Sequence, residues 1–154
     1  MAGHTESSIR IDAPRDFVFR VTNDLGQWPA MFTEYATVEI EEEGERHFVF
    51  RLTTKPDKEG KVYSWVSRRD LHPDEFRIEA RRIEPLFPFA SMDIRWWYDD
   101  DGDGTVMRWQ QDFTVAPGAG FSEQDAEAYI TASSHEQMTA IRAYVEEARR
   151  RSPG

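Results

Sequence analysis

An arginine in line with a tryptophan, a tyrosine and a serine is the most chemically suggestive feature of this chain. In an extended strand, side chains alternate between two faces. Across Tyr-Ser-Trp-Val-Ser-Arg-Arg-Asp-Leu, residues 63 to 71, Tyr63, Trp65, Ser67 and Arg69 therefore share one face. Burying an unpaired guanidinium costs several kcal/mol. Such an arginine sits at a wet rim, is neutralised by a carboxylate, or lines a pocket that uses its charge. Because it stays protonated at any working pH, it can hold an electron-rich oxygen but cannot serve as a base.

Other chemistries find little support. There is no cysteine, which excludes disulfides, thiolate zinc sites and thiol nucleophiles. No two histidines have metal-ligand spacing, and there is no Gly-rich phosphate loop or serine-nucleophile motif. His135 is the one histidine placed to shuttle a proton, since His47 falls on an outer row and His4 and His72 lie near strand ends. A net charge of -10 disfavours nucleic acid as a partner. No signal core or membrane-length apolar run occurs, so a soluble, cytoplasmic protein is expected. Five Trp and ten Phe supply more aromatic surface than a small core requires, as suits a pocket for flat apolar ligands.

The elements that must position Arg69 can be read in order. A first strand, His4 to Ile11, leads into a helix from Pro14 to Asn23, with Asp12 as its cap. A second short helix spans Gln27 to Thr33. Six strands follow: Tyr35 to Glu42, His47 to Thr54, the Tyr63 to Leu71 stretch, one carrying Phe76, Ile78, Ala80 and Arg82 inward, Ala90 to Tyr98, and Thr105 to Val115. Pro85 to Pro88 reads as a rigid loop and Asp99 to Gly104 as a hairpin turn. A long helix, Ser122 to Arg150, ends the chain. Its stripe is small and polar at Thr131, Ser133 and Ser134, which suggests a gap beneath its centre; ordinary tolerated serines explain the stripe equally well.

This order predicts one α+β domain over residues 1–154, with a seven-stranded antiparallel sheet curved around the terminal helix and two short helices after the first strand. Such sparse cover leaves an interior cavity. Trp28, Phe32, Trp65, Met92, Trp96 and Trp109 would form its walls, with Arg82, Gln111, Ser134 and Met138 also facing inward.

The segments Thr22-Asn23-Asp24, Trp28-Pro29, Phe32, Glu34-Tyr35-Ala36, Phe50-Arg51-Leu52, Trp65-Val66-Ser67-Arg68-Arg69 and Met107 to Phe113 are jointly similar to the bacterial polyketide aromatase/cyclases of the START or Bet v 1-like helix-grip superfamily. The resemblance covers essentially the whole chain and is greatest to the single-domain, first-ring enzymes. It implies a cofactor-free and metal-free aldol cyclisation, with C9–C14 regiochemistry, of a linear poly-β-ketone carried on an acyl carrier protein, followed by dehydration to an aromatic ring. The ketosynthase and chain-length factor would be further partners. Arg69 would hold oxygen, Tyr35 would donate a proton or hold water, Ser67 would hold a water, and Glu34 would stand beside Tyr35. Glu34 could instead form a plain ion pair with Arg69. Arg82 would grip a second carbonyl or the pantetheine end, or pair with an acidic neighbour. Arg46, Arg51, Lys55, Lys58 and Lys61 form a basic hairpin on which an acidic carrier could dock. Two other readings remain open: a noncatalytic binder of a flat hydrophobic molecule, and a chaperone that shapes the polyketide while cyclisation proceeds spontaneously.

Overall fold

The computed structural model describes residues 3–84 and 88–151. The strands are β1 (Gly3–Ile11), β2 (Tyr35–Glu43), β3 (His47–Thr54), β4 (Ser64–His72), β5 (Arg77–Glu84), β6 (Phe89–Asp101) and β7 (Gly104–Val115). The helices are α1 (Arg15–Thr22), α2 (Trp28–Met31) and α3 (Glu123–Arg151). All seven strands form one antiparallel sheet in the order β1-β7-β6-β5-β4-β3-β2. This is the expected helix-grip architecture.

Alternation decides which side chains enter the concavity. On β6 and β7 the buried hydrophobic residues are Met92, Trp96, Tyr98, Met107, Trp109 and Phe113, as their spacing requires. Ile130, Met138, Ile141 and Val145 of α3 close the space from the other side. A capping box starts that helix: Asp125 N–H donates to Ser122 Oγ at 3.1 Å and Ser122 N–H donates to Asp125 Oδ2 at 3.3 Å. Ser134, in the small polar stretch, covers no gap. Its hydroxyl donates to Gln111 Oε1 at 3.2 Å, and the same oxygen accepts from Thr5 at 2.9 Å, so helix and sheet are joined there by hydrogen bonds.

Several expectations need correction. Asp12 does not cap α1: its backbone N–H donates to Glu146 on α3, and Pro14 occupies the cap position. The second helix is a 3-10 turn at Leu25–Gln27 plus four α-helical residues, because Phe32 is already extended. β2 is an edge strand with register shifts at Tyr35/Thr37 and Ile40/Glu42, so Ala36 and Ile40 leave the inward row and only Val38 keeps it. Tyr129 of α3 is 70 % exposed. The helix begins at Glu123 and runs through Arg151, one residue later at each end than expected. The loop expected at Pro85 to Pro88 lies outside the described residues except for Pro88, whose carbonyl accepts from Ala116 N–H at 2.7 Å.

Ile141 is fully buried under the sheet, so Ile141→Ala should cost about 3 kcal/mol by urea denaturation. Ser122→Ala, which removes only a cap, should cost about 1 kcal/mol. Equal losses would mean that α3 does not grip the core through this face.

Candidate active site

Arg69 reaches the interior from the middle of β4, opposite Phe48 on β3 and Ala80 on β5. It is 2 % exposed. Its guanidinium lies 4.3 Å from the Trp96 ring and 5.1 Å from the Trp28 ring, and its Nε donates to Asn23 Oδ1 at 2.9 Å. One terminal nitrogen, Nη2, is buried without a hydrogen-bond partner. Among the described residues no carboxylate pairs with it, so the ion pair with Glu34 does not form. Burial pushes its pKa down to about 10, against the opposing pull of the Tyr98 and Tyr35 phenols. The side chain therefore remains cationic near neutral pH. Both flanking indoles present π-faces, which attract the cation without neutralising it.

The end of α1 holds this arginine. Asn23 Nδ2 donates to the Phe19 carbonyl at 2.7 Å and reaches Tyr98 Oη at 3.4 Å. The Thr22 hydroxyl donates to the Val18 carbonyl at 2.7 Å and lies 2.7 Å from the same phenol. Two carbonyls near the end of α1 thereby fix the orientation of both side chains. Sequence reasoning missed Asn23 and Thr22. An Asn just past a helix is an ordinary stop signal, and only the pairing with Arg69, 46 positions away, marks it as more.

Tyr35, Glu34 and Arg82 form a second group near the start of β2. The Tyr35 ring contacts Phe32 at 4.8 Å, Trp28 at 6.0 Å and Trp65 at 6.3 Å, so it faces inward. Glu34 lies ahead of the regular strand, which frees it from the alternation that would otherwise turn it away. Burial raises its carboxyl above the usual range, opposed by a hydrogen bond from Tyr35 and by the charge of Arg82. Burial also raises the Tyr35 phenol, reinforced by Glu34, so Tyr35 stays protonated and does not act as a base. Arg82 lies across the ladder from Ser67, itself 7 % exposed. Its guanidinium stacks 4.2 Å from the Trp65 ring, and its Nε is buried without a partner. Gln137 of α3 secures the segment: its amide accepts from Thr33 N–H at 2.8 Å and donates to Thr33 Oγ1 at 2.7 Å.

The expected walls touch one another. Trp96 stacks on Trp109 at 4.5 Å, and Phe32 lies 6.4 Å from Trp109 and 4.9 Å from Trp28. Two cavities, of about 600 and 330 Å³, are lined by Asp12 to Asp16 with the β6–β7 turn and by β1 with β7 and His135. Neither includes Arg69, Tyr35 or Ser67. These two volumes are separate from the expected interior site. Met92 stands apart, packed with Phe113, Ala126 and Ile130 in a separate cluster. Gln111 and Ser134 are bonded to each other, and Met138 is core. His135 is exposed on α3.

The raised Glu34 carboxyl has a consequence for stability. The folded state holds its proton more tightly than the unfolded chain does, so ionisation costs stability as pH rises above the ordinary value of 4.5. Glu34→Gln should raise the urea midpoint near neutral pH and lose that advantage as pH falls to the ordinary carboxylate range. An equal difference at both pH values would contradict the burial of this group.

Residues 2–146 match the family model described as polyketide cyclase/dehydrase and lipid transport. A candidate polyketide cyclase of Streptomyces cyaneus is 44% identical over 147 residues, 96% of each chain. The actinorhodin polyketide synthase bifunctional cyclase/dehydratase of Streptomyces coelicolor is 30% identical over 146 residues, 95% of this chain and 44% of that longer protein. The crystal structure of the Zhui aromatase/cyclase from Streptomyces sp. R1128 superposes with a TM-score of 0.81 at 29% identity, covering 98% of this chain and 96% of that one. With its helix-grip fold and a buried cationic site among aromatic rings, the chain belongs to the polyketide cyclase/dehydrase family and is an enzyme of that family.

Proposed function

We propose that this enzyme closes the first ring of a linear poly-β-ketone carried on an acyl carrier protein, joining C9 to C14, and then dehydrates the product to an aromatic ring. One observation supports this above the others: a fully buried guanidinium with a free N–H, set between indole faces and paired with no carboxylate among the described residues.

A methylene between two ketones loses a proton to give an enolate. Its carbon attacks a second ketone carbon, a C–C bond forms, and the carbonyl π-pair moves onto oxygen. Arg69 holds the oxygen that carries the negative charge, and a cation waiting in a low-dielectric site costs no reorganisation at that moment. Tyr35, kept protonated, delivers a proton to the new alkoxide. Loss of a neighbouring proton and of hydroxide, which leaves as water once protonated, forms the double bond, and enolisation completes the aromatic ring. Glu34, with its raised carboxyl beside Tyr35, exchanges these protons.

The aromatic walls stack on one another here and would stack on the folded ketone chain, holding reacting carbons close. Arg82 and Trp65, beside Tyr35, meet the carrier-proximal end of that chain. The carrier docks on the basic hairpin. Some of its charge is already met, since Arg46 lies 4.0 Å from Asp74, Arg51 3.9 Å from Glu41 and Lys61 3.8 Å from Glu59. Exposed pairs of this kind are weak and readily exchanged.

The test is reconstitution with a minimal synthase and its carrier. Wild type should replace spontaneous shunt products with one ring pattern. Arg69→Ala, folded by circular dichroism, should lose about 100-fold in ring-closed product, and Tyr35→Phe a comparable factor. A shunt mixture unchanged by wild type refutes ring closure. Arg69→Ala matching wild type in yield and pattern leaves only a shaping role.

A further inference from the structure

The partner of Arg69 is an amide in a chain that contains 29 acidic residues, and the residue next to it, Asp24, is exposed. A carboxylate at position 23 would meet the guanidinium with opposite charge, which is how buried arginines are ordinarily accommodated. Asn23 is 8 % exposed and its amide is not free to turn. Nδ2 is committed to the Phe19 carbonyl, so Oδ1 must face the guanidinium. The carbonyl end of α1, the negative pole of that helix, meets the amide on its far side. The arginine thus receives a directional acceptor and a weak dipole, and keeps its formal charge.

We infer that Asn23 is a positioning residue that sets the charge available at Arg69. It holds the guanidinium by Nε alone and, being neutral, leaves the full positive charge and the Nη2 N–H for an anionic oxygen of the substrate. Tyr98 and Thr22 serve the same arrangement. The Thr22 hydroxyl is spent on Val18, so the Tyr98 phenol donates to Thr22 and accepts from Asn23. No acidic group in this network can take the charge. This inference rests on the proposed ring closure only for its catalytic consequence; the preference for an anion stands on the geometry itself.

Asn23→Asp keeps the shape and adds a counter-charge. It also loses the Nδ2–H that the Phe19 carbonyl accepts, so either role lowers stability and the melting point does not discriminate between them. A merely structural Asn23 would leave the preference for an anion in place, and the charge-setting role predicts its loss. Two probes read the charge without any reaction: 2-hydroxy-1,4-naphthoquinone, an enolate at neutral pH, and its neutral parent 1,4-naphthoquinone. Binding is followed by quenching of tryptophan fluorescence, since Trp28 and Trp96 flank the guanidinium. Wild type should bind the enolate about 10-fold more tightly than the neutral quinone, a factor worth ~1.4 kcal/mol. Asn23→Asp, folded by circular dichroism, should erase that preference and lower first-ring product at least 10-fold in the reconstituted system. Asn23→Ser, neutral and smaller, should lose some affinity for both quinones yet keep the preference.

Retention by Asn23→Asp of both preference and yield overturns the inference. Should Asn23→Asp fail to fold, Asn23→Ser decides alone: a kept preference supports the charge-setting role, and a lost one refutes it. If wild type closes no ring but shows the enolate preference that Asn23→Asp abolishes, the reaction is wrong and the role of Asn23 stands.

Discussion

A permanent positive charge buried without a counter-ion among the described residues is the constraint from which the rest of this structure follows. The guanidinium of Arg69 is fixed at mid-strand on β4, so it cannot snorkel to solvent as a residue at a strand end could. Its cost must be met by groups that do not neutralise it. Two indole faces, one amide oxygen and two nearby phenols meet that description, and β6, α2 and the end of α1 are arranged to deliver them. The α1–α2 segment is accordingly more than a plug for the open end of the sheet. Its last turn orients Asn23, and the residues after its 3-10 turn place Trp28 and Phe32 against Trp96.

The same logic separates the two buried guanidinium groups. Arg82 is accompanied by a carboxylate, Glu34, whose raised carboxyl and hydrogen bond from Tyr35 make that end of the site a place where protons can be held and exchanged. Arg69 is accompanied by neutral groups only and is suited to hold negative charge on oxygen. In the proposed reaction these are complementary tasks, and the structure keeps them on neighbouring strands, β4 and β5, with Ser67 across the ladder from Arg82. The contact between Tyr35 and the Trp28–Phe32 pair joins the two ends.

Much of this was legible in the sequence because it depends on alternation. Trp65, Ser67 and Arg69, or Trp96 and Tyr98, reach the interior for the same reason that their outer neighbours do not, and the run from β2 to β7 follows from short connections, whereas the pairing of β1 with β7 does not. What resisted reading depends on departures from regularity or on distant pairings. The register shift at Tyr35/Thr37 breaks the row that placed Ala36 and Ile40 inside and lets Glu34 interact with Tyr35. Ser134 looked like cover for empty space, yet it is one of two donors to Gln111, an arrangement that needs β1, β7 and α3 at once. Four of the five tryptophans, Trp28, Trp65, Trp96 and Trp109, line the concavity, and their mutual stacking was not legible from the number of covering helices. Asn23 was invisible as a functional residue because its local role, ending α1, explained it fully.

The central claim is that Arg69 meets an anionic oxygen inside the aromatic enclosure, and nitrogen-15 NMR of the arginine side chains reads it directly. The Nε–H resonance of Arg69, assigned through its loss in Arg69→Lys, should exchange slowly with solvent and move on titration with an enolate of a flat bicyclic ketone, with the Asn23 Nδ2 resonance following. Binding of that enolate with both resonances unmoved, or fast solvent exchange at Arg69 Nε, would contradict the account.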